Sequence, residues 1–301
     1  MSAILIAFLI TLATFQSLLC RQYSEHYPGE EAMSSPVFSV ISGLIVAVVT
    51  FAFAGFSFSV QWPTLVLGIA NAVTLFLYNT CMIKAANSGP YSVLMTCMLA
   101  GGIIVPAVVN FFAFGTQLSI IQIISIVVIF AAIYIVSYKE GEGKGSLGFY
   151  LACVGLFLSN GAYGALLNAQ QEITGSAEKE EMIMLTYFGC MLISTIYLLA
   201  TRGKTFVRAL RQTKRSLFYL LSCSVVISLA MNLLVFILPL INATVLYTFD
   251  NSGVLLVSVL ISHFFFREKL TRLNWLGCAL MCLALVCVSV FSPEFIAAHF
   301  A

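Results

Sequence analysis

Ten stretches of 18 to 24 predominantly apolar residues, separated by short polar connections, run through the 301-residue chain. They are Ser2–Leu19, Pro36–Phe58, Pro63–Ile83, Tyr91–Phe114, Gln117–Ser137, Leu147–Ala169, Met182–Thr201, Leu217–Leu238, Ala243–Phe266 and Leu273–Phe291. About 20 residues at ~1.5 Å each cross a hydrocarbon core of ~30 Å. No water is present there to satisfy backbone N–H and C=O groups, so such segments must close their hydrogen bonds internally, as helices. The pattern predicts an all-α membrane protein with ten transmembrane helices. Composition agrees: 61% of residues are hydrophobic and 9% are charged, against roughly 45–50% and 25% in soluble domains. Little chain remains for any domain outside the bilayer. Disorder is excluded by the same numbers, and a net charge of +2 argues against nucleic-acid binding.

Each of the nine cysteines lies in or beside an apolar segment, and no C-x-x-C pair occurs. They read as small packing residues, with no support for a metal centre or a thiol-redox site, and no cofactor is expected. The first apolar stretch lacks a basic leader and an A-x-A cleavage site, so it reads as a retained span.

With ten spans the connections alternate between two sides. Thirteen of the 14 basic residues then fall on one side: Arg21, Lys84, Lys139, Lys144, six between Arg202 and Arg215, and Arg267, Lys269 and Arg272. The other side holds Lys179 alone. The excess of Lys and Arg on cytoplasmic loops places the odd connections in the cytosol and both termini outside, with the plasma membrane as the expected location. The run RGKTFVRALRQTKR, Arg202–Arg215, fits lipid headgroups or another anionic partner.

The chain also repeats itself. Phe112–Ser137 and Phe264–Ser289 align at an offset of 152: Leu118 meets Leu270, Ser119 meets Thr271, Gln122 meets Asn274 and Ser125 meets Gly277. The informative part is Leu-[Ser/Thr]-x-x-[Gln/Asn], since apolar matches are cheap in membrane helices. The offset is about half the chain, so each half carries five spans. An odd number places the halves upside down relative to one another, a device of secondary transporters. The expected organisation is a first repeat over residues 1–138, a linker over 139–146 with the sequence KEGEGKGS, and a second repeat over 147–301.

The stretch FREKLTRLNWLGCALMCLALVCV, Phe266–Val288, resembles the end of the drug/metabolite transporter superfamily, EamA type. That family carries Gly-Glu-x-Leu-Thr-x-x-Gln-x-x-Gly between its last two spans. Here Arg267 stands for the first Gly, Glu268, Leu270 and Thr271 match, Asn274 stands for Gln, and Gly277 matches. In the first-half copy Gly115 is kept and Thr116 replaces Glu. Ser88–Val109 also resembles the family's fourth span. The resemblance implies two inverted five-helix repeats carrying small metabolites, with both termini in the cytosol. The charge count gives the reverse orientation and is the one followed.

Asp250 is the only acidic residue inside a predicted span, about seven residues or ~10 Å deep. An ionised Asp at a span centre costs about 2.5–3.5 kcal/mol on insertion scales, so it faces a partner or a wet cavity. Its surroundings, Tyr247, Thr248, Asn251, Ser252 and Gly253, are unusually polar. The candidate site for substrate or for a coupling ion comprises Asp250, Tyr247, Asn251, Asn79, Asn160, Tyr163 and Asn232. Asn160 and Tyr163 are three apart and share a helix face. The structural alternative for each polar residue is hydrogen bonding between helices.

Catalysis is not expected. An intramembrane aspartyl protease needs two carboxylates sharing a site, no G-x-S-x-G accompanies the lone intramembrane His263, and no metal-ligand cluster exists. The expected function is secondary transport of a small polar or cationic organic molecule by alternating access, with H+ and Na+ as candidate coupling ions and membrane lipids as surroundings. The alternatives are a lipid or lipid-linked-sugar flippase of the same architecture and a non-transporting receptor or structural membrane protein.

Overall fold

The computed structural model describes residues 2–114, 119–137, 146–174, 178–203, 206–237, 243–264 and 271–291. The helices are α1 (Ser2–His26), α2 (Glu31–Phe53), α3 (Trp62–Ser88), α4 (Tyr91–Phe114), α5 (Ile120–Ser137), α6 (Leu147–Thr174), α7 (Lys179–Arg202), α8 (Phe206–Ala209), α9 (Lys214–Ile237), α10 (Ala243–Phe264) and α11 (Arg272–Val290). There is no strand among the described residues. Six helices (α1, α2, α3, α6, α7 and α9) are long and apolar enough to cross a bilayer, and shorter apolar stretches occupy Val93–Val109, Ile120–Ala132 and Arg272–Cys287. The chain is therefore a multi-pass helical membrane protein.

Burial supports this from the opposite direction. Large apolar side chains such as Val48, Ile69, Val127, Leu151 and Ile196 are exposed, whereas Thr50, Thr64, Asn71, Thr96, Thr186 and Ser258 are fully buried. A water-soluble monomer shows no exposed apolar patch of this extent. In lipid the apolar groups face outward and the polar groups turn into the bundle.

Several helices run past the predicted spans. Helix α1 continues to His26 rather than stopping at Leu19, and α6 to Thr174 rather than Ala169. Helix α3 ends at Ser88 rather than Ile83, just before Gly89 and Pro90. Helix α2 is shifted, starting at Glu31 instead of Pro36 and ending at Phe53 instead of Phe58. Apolar residues mark where lipid touches the chain, but helical hydrogen bonding continues through polar residues until the backbone is stopped. In α1 the Arg21–Glu25 ion pair, 3.1 Å and one turn apart, lies in such an extension. Helix α2 stops where Gly55 takes φ +67°, a left-handed conformation that glycine adopts at little cost. The predicted linker residues 139–145, the connections Gly115–Thr116 and Pro239–Asn242, and Arg267, Glu268 and Leu270 lie outside the described residues.

Helix α3 packs between α6 and α7, α2 lies on α7 and α9, α4 on α6, α5 on α11 and α1 on α9; α10 touches α11, α1 and α4. The α4–α6 crossing is made by glycines. A Cβ at Gly101 would lie 2.0 Å from the Phe157 carbonyl oxygen, and one at Gly161 would lie 2.4 Å from the Gly101 oxygen. Only residues without side chains allow backbones this close, the general small-residue rule for membrane helices.

The connections gather at two ends. At one, Ser24 Oγ donates to Asn87 Oδ1 (2.7 Å), Asn87 Nδ2 to Glu31 Oε1 (3.2 Å) and Tyr27 Oη to the Ala209 carbonyl (3.0 Å), and Arg202 pairs with Glu30. Gly89 lies against the Phe149 ring. At the other end, the Gln61 N–H donates to both oxygens of Glu178 (3.0 and 3.1 Å). Ser119 Oγ donates to the Phe291 carbonyl (2.8 Å). Odd connections meet odd ones in each case, and even ones meet even ones or the segment after α11.

The repeated Leu-[Ser/Thr]-x-x-[Gln/Asn] motif has a structural explanation. The Ser119 N–H donates to Gln122 Oε1 (2.9 Å) and the Gln122 N–H to Ser119 Oγ (3.2 Å). The Thr271 N–H donates to Asn274 Oδ1 (2.9 Å) and the Asn274 N–H to Thr271 Oγ1 (3.2 Å). Both copies are reciprocal capping boxes, which satisfy backbone donors left over at a helix start. One opens α5 and the other opens α11.

Candidate functional site

Helices α4, α6 and α10 bring polar groups together midway along their lengths. Asn160 of α6 donates from Nδ2 to the Met98 carbonyl of α4 (2.8 Å). That carbonyl belongs to a turn just before Gly102. A Cβ on Gly102 would sit 2.7 Å from Asn160 Nδ2 and 3.7 Å from Asn251 Oδ1 of α10. The missing side chain of Gly102 is what lets Asn160 approach α4 this closely, and Asn251 reaches the same stretch at an ordinary contact distance. Asn251 is eight residues from the start of α10, Gly102 eleven from the start of α4 and Asn160 thirteen from the start of α6. At 1.5 Å per residue all three lie roughly 12–20 Å in, near the middle of a ~30 Å core.

A tyrosine cluster adjoins this point. Tyr78 of α3 donates to Met98 Sδ (3.2 Å), and Tyr163 of α6 donates to Met231 Sδ of α9 (3.7 Å). Tyr187 of α7 faces both Tyr163 and Tyr78. Three phenols and two thioethers thus converge from α3, α4, α6, α7 and α9, a surface of aromatic faces with polar tips suited to an organic molecule. Nearer the odd end Tyr91 is fully buried, with the Arg21 guanidinium over its ring at 5.6 Å.

Asp250 precedes Asn251 on α10. Its side chain is partly buried, and its buried Oδ1 has no hydrogen-bond partner among the described residues. A carboxylate oxygen left so in a protein interior costs the full desolvation of that atom unless a ligand or ion supplies the bond. The side chain of Tyr247 lies outside the described residues.

The predicted set is therefore divided. Asn160, Tyr163 and Asn251 converge, with Asp250 next to Asn251. Asn79 and Asn232 do not join them. Asn79 is buried between α2 and α7, donating to Ser39 Oγ (3.0 Å) and contacting Cys190 Sγ (3.9 Å). Asn232 donates to Thr50 Oγ1 of α2 (3.2 Å) and to the Ser228 carbonyl (2.8 Å). It borders a separate cavity of about 420 Å³ beside Glu180 and Phe236. Both asparagines act as hydrogen-bonded links to α2. Among the described residues no cluster of three His, Cys, Asp or Glu side chains is disposed to hold a metal ion.

Tyr187, Met98 and Gly102 escape the sequence reading. Tyr187 is five residues from the predicted span start at Met182, a depth at which aromatic rings serve as interface anchors. The helix starts at Lys179, so Tyr187 lies eight residues along α7, three more than the apolar run suggests. Met98 and Gly102 are ordinary membrane-helix residues until the helix opposite them is known.

No family model and no curated protein sequence matches the chain. A protein of known crystal structure shares its fold: 96% of this chain and 97% of the other correspond with a TM-score of 0.66, at 12% sequence identity. At that identity the likeness is one of fold alone.

Proposed function

We propose that the chain is a ten-span carrier of drug/metabolite transporter type, built from two inverted five-helix repeats, that moves a small polar or cationic organic molecule across the plasma membrane by alternating access. The observation that carries this reading is the mid-depth convergence of Asn160, Gly102 and Asn251, with Asp250 one residue away along α10 and its Oδ1 without a partner among the described residues. A buried carboxylate of this kind in a membrane helix is by default a functional group.

The packing pattern supports the repeat. Let each helix of the first half exchange with its counterpart: α1 with α6, α2 with α7, α3 with α9, α4 with α10, and α5 with α11. The pair α3–α6 then becomes α9–α1, α4–α6 becomes α10–α1, α3–α7 becomes α9–α2 and α4–α5 becomes α10–α11. The pairs α2–α7, α5–α11 and α4–α10 map onto themselves. Gly101 and Gly253, also 152 apart, seat α6 and α1, which are counterparts. The start of α5 lies beside the end of α11, as inversion requires. Substrate in such folds binds at the midplane where the repeats meet, which is where α4 and α10 face each other. The charge count orients the end holding Glu30 and Arg202 toward the cytosol.

The test has two steps. A thermal-shift screen of small amines, amino acids, nucleosides and sugars finds a ligand, because binding to the folded state raises its stability. Proteoliposome flux of that ligand is then compared for wild type and Asp250→Asn. Uphill flux is expected to fall by at least about tenfold, a loss of ~1.4 kcal/mol, while folding is retained because Asn is cheaper to bury than an ionised Asp. Normal flux with unchanged pH dependence would remove Asp250 from the mechanism. Scrambling of labelled phospholipid without flux of any water-soluble ligand would replace transport of metabolites by lipid translocation.

A further inference from the structure

Part of the basic run after α7 lines a surface concavity. Helix α7 ends at Arg202, and Gly203 takes φ +32°, turning the chain back toward the bundle. The single turn α8 then presents Phe206, Ala209 and Leu210 to the apolar cluster of Met33, Val37 and Leu198. That apolar contact fixes the segment against the start of α2. Tyr27 fastens it from the α1–α2 connection by donating to the Ala209 carbonyl. Arg208 and Arg211, three residues apart, are left on the cavity side together with Arg202. The open concavity so formed measures about 450 Å³, within the ~300–1,000 Å³ range of small-molecule sites.

Charge decides what suits it. Three guanidiniums and one carboxylate, Glu30, line the cavity, a formal excess of two positive charges. Glu30 is paired with Arg202. Arg208 and Arg211 make no ion pair or side-chain hydrogen bond among the described residues. Two guanidinium forks in one concavity match the several oxygens of a phosphate group, which accept paired N–H donors. Lys214 and Arg215, from the same run, do not line the cavity. The run is thus sorted by the fold into residues that face the cavity and residues that face away.

We propose that this cavity binds a phosphate monoester group through Arg208 and Arg211, with Arg202 held ready by Glu30. The group belongs either to a soluble phosphorylated molecule or to the headgroup of an anionic lipid. The site lies at the C-terminal end of α7, 15 residues beyond Tyr187, and is separate from the Asp250 region, so its test reads binding and not transport.

Thermal unfolding of the purified protein is followed in inorganic phosphate and in chloride of matched ionic strength. Retention of phosphatidic acid from nanodiscs is followed in parallel by native mass spectrometry. The variant R208Q/R211Q is compared with K214Q/R215Q, which removes the same charge from the same run outside the cavity. A soluble ligand predicts a phosphate-specific rise in Tm whose half-saturating concentration increases at least about tenfold in R208Q/R211Q and is unchanged in K214Q/R215Q. A lipid headgroup predicts that R208Q/R211Q alone loses retained phosphatidic acid. If R208Q/R211Q does not fold, R208K/R211K keeps the charge and removes the forks, and the same loss is expected relative to K214Q/R215Q. Equal behaviour of the cavity variants and K214Q/R215Q with both probes overturns the proposal, because the run then acts only as diffuse positive charge.

Discussion

Alanine at Gly101 should separate α4 from α6, and alanine at Gly253, its counterpart 152 residues on, should be tolerated. A Cβ at position 101 would meet the Phe157 oxygen at 2.0 Å, its carbonyl carbon at 2.6 Å and its Cα at 2.7 Å. All three are backbone atoms, so no rotamer change relieves the contact. Reaching even the closest ordinary contact of 3.4 Å moves the helices apart by about 1.4 Å. The Asn160–Met98 hydrogen bond, 2.8 Å long and within a turn of the contact, then stretches to about 4 Å, beyond bonding range. Forced overpacking costs about 1–3 kcal/mol, and a hydrogen bond between membrane helices contributes about 0.6 kcal/mol on average. Replacing Gly by Ala within a helix returns up to ~1 kcal/mol. The net loss at Gly101 is about 1–3 kcal/mol, or several degrees in Tm at roughly 2 °C per kcal/mol for a chain of this size. At Gly253 the close atoms are Cδ1, Cγ1 and Cγ2 of Ile10, at 2.4, 2.9 and 3.2 Å. That side chain can rotate at about 0.5–1.5 kcal/mol, which the helical gain offsets. Tm of both purified variants in one detergent is the measurement. A fall at Gly253 as large as that at Gly101 would refute the distinction between backbone and side-chain contact.

Two further outcomes are expected. Ser119→Ala and Thr271→Val each remove the hydroxyl half of a capping box and should cost about 1 kcal/mol; because they sit at opposite ends of the α5–α11 pair, the double variant in chemical or thermal unfolding should be additive within about 0.5 kcal/mol, and strong coupling would contradict the antiparallel placement of those helices. In a cysteine-free background, a cysteine at Gln61 should react with an impermeant maleimide on intact cells and one at Gly203 should not; the reverse would invert the orientation, and labelling of both would break the alternation of ends.

Much of the architecture is local and therefore readable along the chain. Apolar runs of bilayer length force helices because the backbone has no other hydrogen-bond partner there. The Leu-[Ser/Thr]-x-x-[Gln/Asn] repeat was visible because a capping box is closed within four residues. Asn160 and Tyr163 could be placed on one face because three residues is nearly one turn. What the pattern misplaced was also local: Tyr187 appeared shallow because α7 begins three residues before the lipid-facing run, and hydrophobicity is blind to a helix continuing through Lys179 and two glutamates. The partners of each side chain were decided only in the tertiary structure. Asn79 and Asn232 bind α2, away from Asn160 and Asn251. Gly102 gains meaning from Asn160 and Asn251, and Arg208 and Arg211 form a cavity only because α8 folds back onto Met33 and Tyr27. These contacts join residues some 40 to 180 positions apart. Helical periodicity specifies which face is apolar, and in lipid nearly every face is, so the choice of neighbour falls to small-residue crossings and individual hydrogen bonds that exist only once the helices have met.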